Sequence, residues 1–297
     1  MDRQKKAYLY AIVTVLLWST VASAFKITLR YLNFIQLLFY ASFVSMTALF
    51  LILLCQGKLR ELSAFSKREY LYSALLGFLN PFFYYVILFK AYSLLPAQEA
   101  QPLNWTWPIM LVLLSIVILK QPIGLMNVIA ILISFSGVFV ISTRGDVFSF
   151  QFTNLPGALL ALSSSIIWAL FWIYNIKDKR DEVMKLFLNF CFGFLYTLAA
   201  VAALGQFYWP PLPGLLGVVY VGLFEMGITF VVWLKALQLS RTTAQVSNLV
   251  YAAPFLSLFF IHFIVGEEIL LSTVIGLILI VSGVVIQQFA GSRQVKS

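Results

Sequence analysis

Ten runs of mostly apolar residues follow one another along this chain, and short polar connections separate them. A helical run of about 20 residues matches the hydrocarbon layer of a lipid bilayer. The runs cover approximately residues 7–25, 34–54, 70–93, 98–119, 123–143, 155–176, 186–204, 212–236, 244–265 and 269–289. We therefore predict an all-α integral membrane protein with ten transmembrane helices.

The composition excludes several other classes of protein. Hydrophobic residues make up 62% of the chain and charged residues 10%, which leaves too little polar surface for a soluble domain of this length. The net charge of +9 could suit nucleic acid, but the basic residues lie in short connections, as topology signals do. The sequence has one histidine and no Gly-rich phosphate loop. We therefore expect no nucleic-acid partner, no metal site and no cofactor.

The distribution of Lys and Arg predicts the direction of the helices. The N-terminus and one set of connections carry most of the basic residues, whereas the opposite set carries Lys26, Arg30 and Arg144. Basic connections remain in the cytoplasm. We therefore expect a multi-pass protein of the cell (plasma or inner) membrane with both termini cytoplasmic. Ala22-Ser23-Ala24 resembles a signal-peptide cleavage site, but the first run has a counterpart at mid-chain, which favours a retained helix.

The two halves of the sequence resemble each other. AIVTVLLW (11–18) matches ALSSSIIW (161–168), and GFLNPFFYYVILFKA (77–91) matches GLFEMGITFVVWLKA (222–236). Each half has five runs, so the second half must enter the membrane in the opposite direction. We predict two inverted five-helix repeats, residues 1–146 and 147–297. Such repeats can exchange conformations and open a central site to either side of the membrane, which indicates alternating access.

Several motifs resemble the EamA family of the drug/metabolite transporter superfamily. They are LLWSTVASAFK (16–26), a proline early in the fourth and ninth runs, and VGEEILLSTVIGLILIVSGVVI (265–286). The first half departs from the pattern at Lys120-Gln121, where the family usually has Gly-Glu. The resemblance implies a ten-helix exporter of amino acids, other small metabolites or toxic aromatic compounds, and not an enzyme.

Glu225 lies near the middle of the apolar run 212–236. A charged side chain at that depth costs about 2.5–3.5 kcal/mol on insertion scales. Loss of hydration favours the protonated form of a carboxyl group, so Glu225 is a candidate for proton coupling. If it stays ionised, it can instead attract a substrate ammonium group. A structural alternative is a protonated Glu225 that is hydrogen-bonded to a neighbouring helix.

Aromatic and amide side chains supply further candidates for substrate binding. Indole and phenol rings suit planar or cationic solutes. We expect one of Trp105 and Trp107 to face the cavity and the other to pack outward. Besides Glu225, the predicted substrate-binding residues are Trp18, Asn80, Tyr84, Tyr85, Gln101, Trp105, Trp168, Gln245 and Asn248.

Polar residues at the entrances of the fourth and ninth runs are candidates for gates. These residues are Gln98, Glu99 and Thr243. Glu99 is alternatively a solvated acid in a loop.

These patterns predict a secondary transporter for amino-acid-like or aromatic, amphipathic small molecules, acting as an exporter in the lipid bilayer as a monomer or homodimer. Proton-coupled transport and uncoupled facilitation are both consistent with the residues. A membrane-embedded enzyme that acts on lipid is disfavoured, because it would need a cluster of catalytic groups and Glu225 lies far from His262 in sequence.

Overall fold

The computed structural model describes residues 3–119, 124–148, 152, 154–240 and 248–294. The described residues form helices and connections, with no strand among them. In chain order the helices are α1 Arg3–Thr28, α2 Phe34–Cys55, α3 Lys67–Leu94, α4 Ala97–Asn104, α5 Trp107–Leu119, α6 Leu125–Ser142, α7 Leu155–Lys177, α8 Glu182–Ala203, α9 Leu212–Leu239, α10 Leu249–Val265 and α11 Leu271–Gln294. A short 3₁₀ turn, Leu59–Ala64, lies between α2 and α3.

Seven of these helices are long and apolar enough to cross a membrane: α1, α2, α3, α6, α7, α8 and α9. Helices α10 and α11 contain shorter apolar stretches. The run predicted as one span at 98–119 is instead divided into α4 and α5. Pro108 explains the division, because it has no N–H to donate to the carbonyl group of Asn104, the last residue of α4. The helical membrane class is confirmed, but this predicted span is two helices.

Equivalent helices of the two halves make equivalent packing contacts. Helix α1 packs against α10 and the C-terminal part of α9, while its counterpart α7 packs against α5 and the C-terminal part of α3. The equivalent helices α2 and α8 pack against each other, as do α6 and α11. Each half therefore contributes its first helix to the other half, and the space between the halves has walls from both.

Helices α3 and α9 each contain one wide π-type turn at matching places in the repeat, Phe78–Phe83 and Gly222–Gly227. In the first turn the backbone of Asn80 is extended, with φ −148° and ψ 120°. In the second turn the irregular residue is Gly227, with φ −106° and ψ −94°. Since Gly227 lies two residues beyond the position that matches Asn80, the two turns orient their side chains differently.

Polar contacts distinguish the two ends of the helix bundle. At one end, called here the N-terminal end, Arg3 donates to the Gln238 carbonyl group and Lys58 pairs with Asp181. At the opposite end, Arg144 pairs with Glu99 and Lys26 donates to the carbonyl groups of Tyr92 and Leu95. These groupings agree with the alternating helix direction predicted from the basic residues.

Candidate functional site

A cavity of ≈ 400 Å³ lies between the two halves. Helices α1, α3, α4 and α5 of the first half and α7, α9, α10 and α11 of the second half line it. The volume falls in the range of small-molecule sites. Tryptophans contribute much of the wall, from Trp18, Trp105, Trp107, Trp168, Trp172 and Trp233.

The aromatic rings of the wall contact one another in a continuous row. The ring of Phe230 lies 6.0 Å from that of Trp18 and 5.8 Å from that of Trp168. Tyr84 extends the row from Trp168 at 4.8 Å, and Trp233 extends it from Trp18 at 5.8 Å. Trp18 and Trp168, which occupy matching positions in the repeat, therefore meet at one shared phenylalanine.

Glu225 also lines this cavity, and it is the one lining side chain with a formal charge among the described residues. The hydroxyl group of the fully buried Tyr85 donates a hydrogen bond to Glu225 Oε1 at 3.0 Å. Tyr84, the neighbouring residue, donates to Asn104 Oδ1 at 3.3 Å. A carboxyl group in such an apolar wall can be neutralised by a proton or by a cationic solute.

Two amide side chains add unfilled hydrogen-bonding capacity to the wall. Gln101 and Gln287 line the cavity, and their side chains are 4% and 7% exposed. The Oε1 atom of each is buried and has no hydrogen-bond partner among the described residues. Buried polar atoms without a partner are uncommon in native proteins. Together with Glu225, these oxygens favour a solute that donates hydrogen bonds.

The structure brings six of the predicted binding residues to the cavity. They are Trp18, Tyr84, Gln101, Trp105, Trp168 and Glu225. Trp107 lines the cavity as well, so the expectation that one of Trp105 and Trp107 packs outward is wrong. Both side chains face inward because the break between α4 and α5 changes the helical register between them.

Two of the remaining predicted binding residues, Tyr85 and Asn80, lie outside the cavity lining. Tyr85 lies behind the wall and acts on it through its hydrogen bond to Glu225. Asn80 is fully buried but outside the lining, and neither atom of its amide group has a hydrogen-bond partner in the described chain. Asn248 begins the 3₁₀ turn Asn248–Ala252. Gln245 and Thr243 lie outside the described residues.

Gln98 connects the two halves at the opposite end of the molecule. Its Nε2 donates to the Glu268 carbonyl group at 2.7 Å, and its Oε1 accepts from the Leu270 N–H at 2.9 Å. In return, the Glu267 carboxylate accepts from the backbone N–H groups of Ala97 and Gln98 at 2.8 and 3.0 Å. Helix α4 and the α10–α11 connection therefore cap each other and join the two halves at this end.

Glu99 lies beside these contacts between the halves. Its side chain is 1% exposed, and its Oε1 accepts from Arg144 Nε at 2.7 Å. The alternative of a solvated loop acid is therefore wrong. Burial is tolerated because the carboxylate is paired with a guanidinium group.

Several lining residues were absent from the sequence-based set. They are Asn104, Trp172, Phe230, Trp233, Tyr251 and Gln287. Spacing could have identified some of them, since Trp172 lies one helical turn after Trp168 and Phe230 occupies the position that matches Tyr85. No comparable pattern identifies Gln287, which lies at the end of the last apolar run.

Comparison with known proteins supports a transporter. The model of the EamA-like transporter family matches residues 5–143 and again residues 155–287. An uncharacterized transporter of Clostridium kluyveri is 24% identical over 97% of this chain and 95% of its own length. The "Aromatic amino acid exporter YddG" of Ancylobacter novellus is 28% identical over 188 residues. That match spans 59% of this chain and 61% of the exporter.

A solved crystal structure supports the fold. It is 23% identical to this chain, covers 99% of both chains and superposes with a TM-score of 0.67.

Proposed function

Because this chain belongs to the EamA-like transporter family, we propose that it exports small aromatic solutes that bear an ammonium group, by alternating access through the cavity between its halves. One observation carries this proposal: Glu225 is the charged residue of a cavity wall built largely from tryptophan and other aromatic rings. The printed name of the relative from Ancylobacter novellus, an aromatic amino acid exporter, supports the aromatic part of the substrate.

The wall suits an aromatic cation for two reasons. Indole rings bind flat apolar groups by stacking, and they attract cations with about 0.5–2 kcal/mol each, depending on how well the cation is desolvated. The carboxylate of Glu225 and the Oε1 atoms of Gln101 and Gln287 can accept hydrogen bonds from an ammonium group. A carboxylate on the solute finds no Lys, Arg or His among the described lining residues. We therefore expect the ammonium group to determine recognition.

Glu225 offers one anionic site for which a proton and the solute compete. The solute enters from the cytoplasm, displaces the proton of Glu225 and is released outside when a proton returns. Such competition couples solute export to proton entry. The closure by Gln98 and Glu267 at the opposite end, which we assign to the outer side, corresponds to the inward-facing conformation.

Transport by purified protein in liposomes tests the substrate class. Tryptamine, tryptophan and indole-3-propionate share one indole body and differ in charge, as cation, zwitterion and anion. We expect tryptamine to be transported fastest, tryptophan more slowly and indole-3-propionate not above the rate of empty liposomes. Transport of indole-3-propionate at the rate of tryptamine would show that the ammonium group does not determine recognition.

A pH gradient across the same liposomes tests the coupling. With an acidic interior, we expect liposomes that contain the protein to accumulate more tryptamine than protein-free liposomes, which trap this weak base passively. Accumulation no greater than in protein-free liposomes would instead indicate an uncoupled facilitator, with the same substrate specificity.

A further inference from the structure

A second pocket, of ≈ 410 Å³, lies at the N-terminal end, away from the central cavity. The beginning of α3 contributes Arg68, Glu69 and Tyr72, and the end of α7 contributes Lys177 with the next three residues, 178–180. The pocket therefore joins one helix from each half of the chain. Four of its side chains are basic and two are acidic.

The two acidic groups of this pocket are already engaged. Asp178 accepts from Arg180 Nε at 3.0 Å and from Arg180 Nη2 at 2.6 Å. Glu69 accepts from the backbone N–H and the hydroxyl group of Ser66, each at 2.7 Å. Arg68 and Lys179 are exposed and form no ion pair among the described residues. The charge that the pocket presents outward is therefore positive.

Arg180 fixes the floor of the pocket. Its side chain is 7% exposed, its guanidinium group lies 5.1 Å from the Phe65 ring centre, and its Nη2 donates to Ser73 Oγ at 2.8 Å. The Nη1 atom is buried and has no partner among the described residues. A buried guanidinium nitrogen without an acceptor leaves a donor unsatisfied. An anion in the pocket would supply the missing acceptor.

We propose that this pocket binds the phosphate group of an anionic phospholipid from the adjacent leaflet. Phosphate oxygens match the fork of an arginine and the flexible ammonium groups of lysines. The pocket lies where α3 and α7 leave the apolar part of the bundle, so a headgroup can enter while its acyl chains remain beside the helices. Basic pockets between membrane helices on the cytoplasmic side bind anionic headgroups in this way. The bound lipid would connect the two halves at this end.

Lipid addition to the purified full chain in neutral detergent tests the proposal. We expect dioleoylphosphatidylglycerol to raise the melting temperature by about 3–5 °C over an equal amount of dioleoylphosphatidylcholine, as for a ligand well above its dissociation constant. Native mass spectrometry should show one retained phosphatidylglycerol. Inorganic phosphate and glycerol phosphate form separate arms. A full effect from either would identify a soluble phosphate as the ligand and overturn the assignment to lipid.

Two double variants separate this pocket from general surface charge. Arg68→Gln with Lys179→Gln removes two basic groups from the pocket, and Lys6→Gln with Lys67→Gln removes two exposed basic groups outside it. We expect the pocket variant to lose at least half of the temperature shift and the retained lipid, and the control to keep both. Equal losses in the two variants would overturn the proposal. Arg68→Lys with Lys179→Arg should restore retention, which excludes loss by misfolding.

Discussion

The wide turn of α3 and the wide turn of α9 occupy the same place in the repeat but differ in chemistry. Both pack on the second helix of the other half: Pro81 of the first turn contacts α8 at Gly193, and Gly222 of the second contacts α2 at Ala41. Yet Asn80 is buried outside the cavity, whereas Glu225 lines it and accepts from Tyr85. The repeat therefore conserves the backbone packing, while one half supplies the charged group.

The N-terminal caps of α2 and α8 also share their geometry but differ in charge. Asn33 caps α2, with its Oδ1 accepting from the Ile35 and Gln36 N–H groups at 3.1 and 3.0 Å. Asp181 caps α8 in the same way, at 3.0 Å from Val183 N and 3.2 Å from Met184 N. An amide in the first half again corresponds to an acid in the second. A protein built from two repeats can therefore retain symmetric packing and still differ between its halves in titratable groups.

The largest expected difference between the two turns concerns transport. Glu225→Gln keeps the shape of the side chain and the hydrogen bond from Tyr85 but removes the negative charge. The ammonium group of the solute then loses a hydrogen bond to a charged group, which contributes about 1.5–3 kcal/mol. We expect the tryptamine transport rate to fall about 10–150-fold and its response to a pH gradient to disappear. Asn80→Leu removes two unpaired amide atoms, which should leave the melting temperature and the rate nearly unchanged.

Liposome transport and melting temperature, measured on the same preparations, check this pair of variants. Loss of transport in Asn80→Leu at a normal melting temperature would show that both turns act on the substrate. Normal, pH-responsive transport by Glu225→Gln would remove Glu225 from the mechanism.

Adding a Cβ atom at the glycine in the packing contact of either wide turn should lower the stability by a similar amount. A Cβ atom added at Gly193 would lie 2.5 Å from Pro81 Cγ, and one at Gly222 would lie 2.6 Å from the Ala41 carbonyl oxygen. Overpacking of this kind costs about 1–3 kcal/mol, so Gly193→Ala and Gly222→Ala should lower the melting temperature similarly. Gly214→Ala, with its nearest neighbour at 3.3 Å, is the milder control and should lower the melting temperature less. A large effect at one turn alone would contradict equivalent packing.

A smaller difference is expected between the adjacent residues Tyr84 and Tyr85. Tyr85→Phe removes the donor to Glu225, whereas Tyr84→Phe removes a longer hydrogen bond to Asn104. Loss of about 1 kcal/mol at Glu225 corresponds to a roughly fivefold change in the KM for tryptamine. We expect less than half of that change for Tyr84→Phe. Equal changes would indicate that Tyr85 acts through packing alone.

The sequence predicted the fold more completely than the site. Periodic apolar runs and matching motifs indicated the helices and the repeat, because membrane insertion strongly constrains both length and polarity. The orientation of single side chains depends on local breaks, which these patterns do not show. Asn80 matches Glu225 in the alignment of the halves, yet the irregular residue of each turn differs, so the two side chains have different surroundings. Gln287 could be found only from the packing of α11.

The smallest expected effect is a difference in acid sensitivity between the caps of α2 and α8. Burial alone would raise the pKa of Asp181, but hydrogen bonds from Lys58, Met184 and Val183 outweigh it and hold the pKa below its ordinary value. The resulting stabilisation is present above the ordinary pKa of an aspartate, about 3.9, and is lost as the pH falls through the lower folded value.

Asp181→Asn should therefore reduce the loss of melting temperature on acidification. The free energy of unfolding at neutral pH should change by under about 1 kcal/mol, because asparagine caps a helix nearly as well and the partly exposed ion pair with Lys58 contributes little. Asn33→Asp should do the converse and add an acid-sensitive cap to the first half. Melting curves across acidic pH check both variants. An unchanged acid response in each would show that the caps, unlike the two wide turns, do not distinguish the halves.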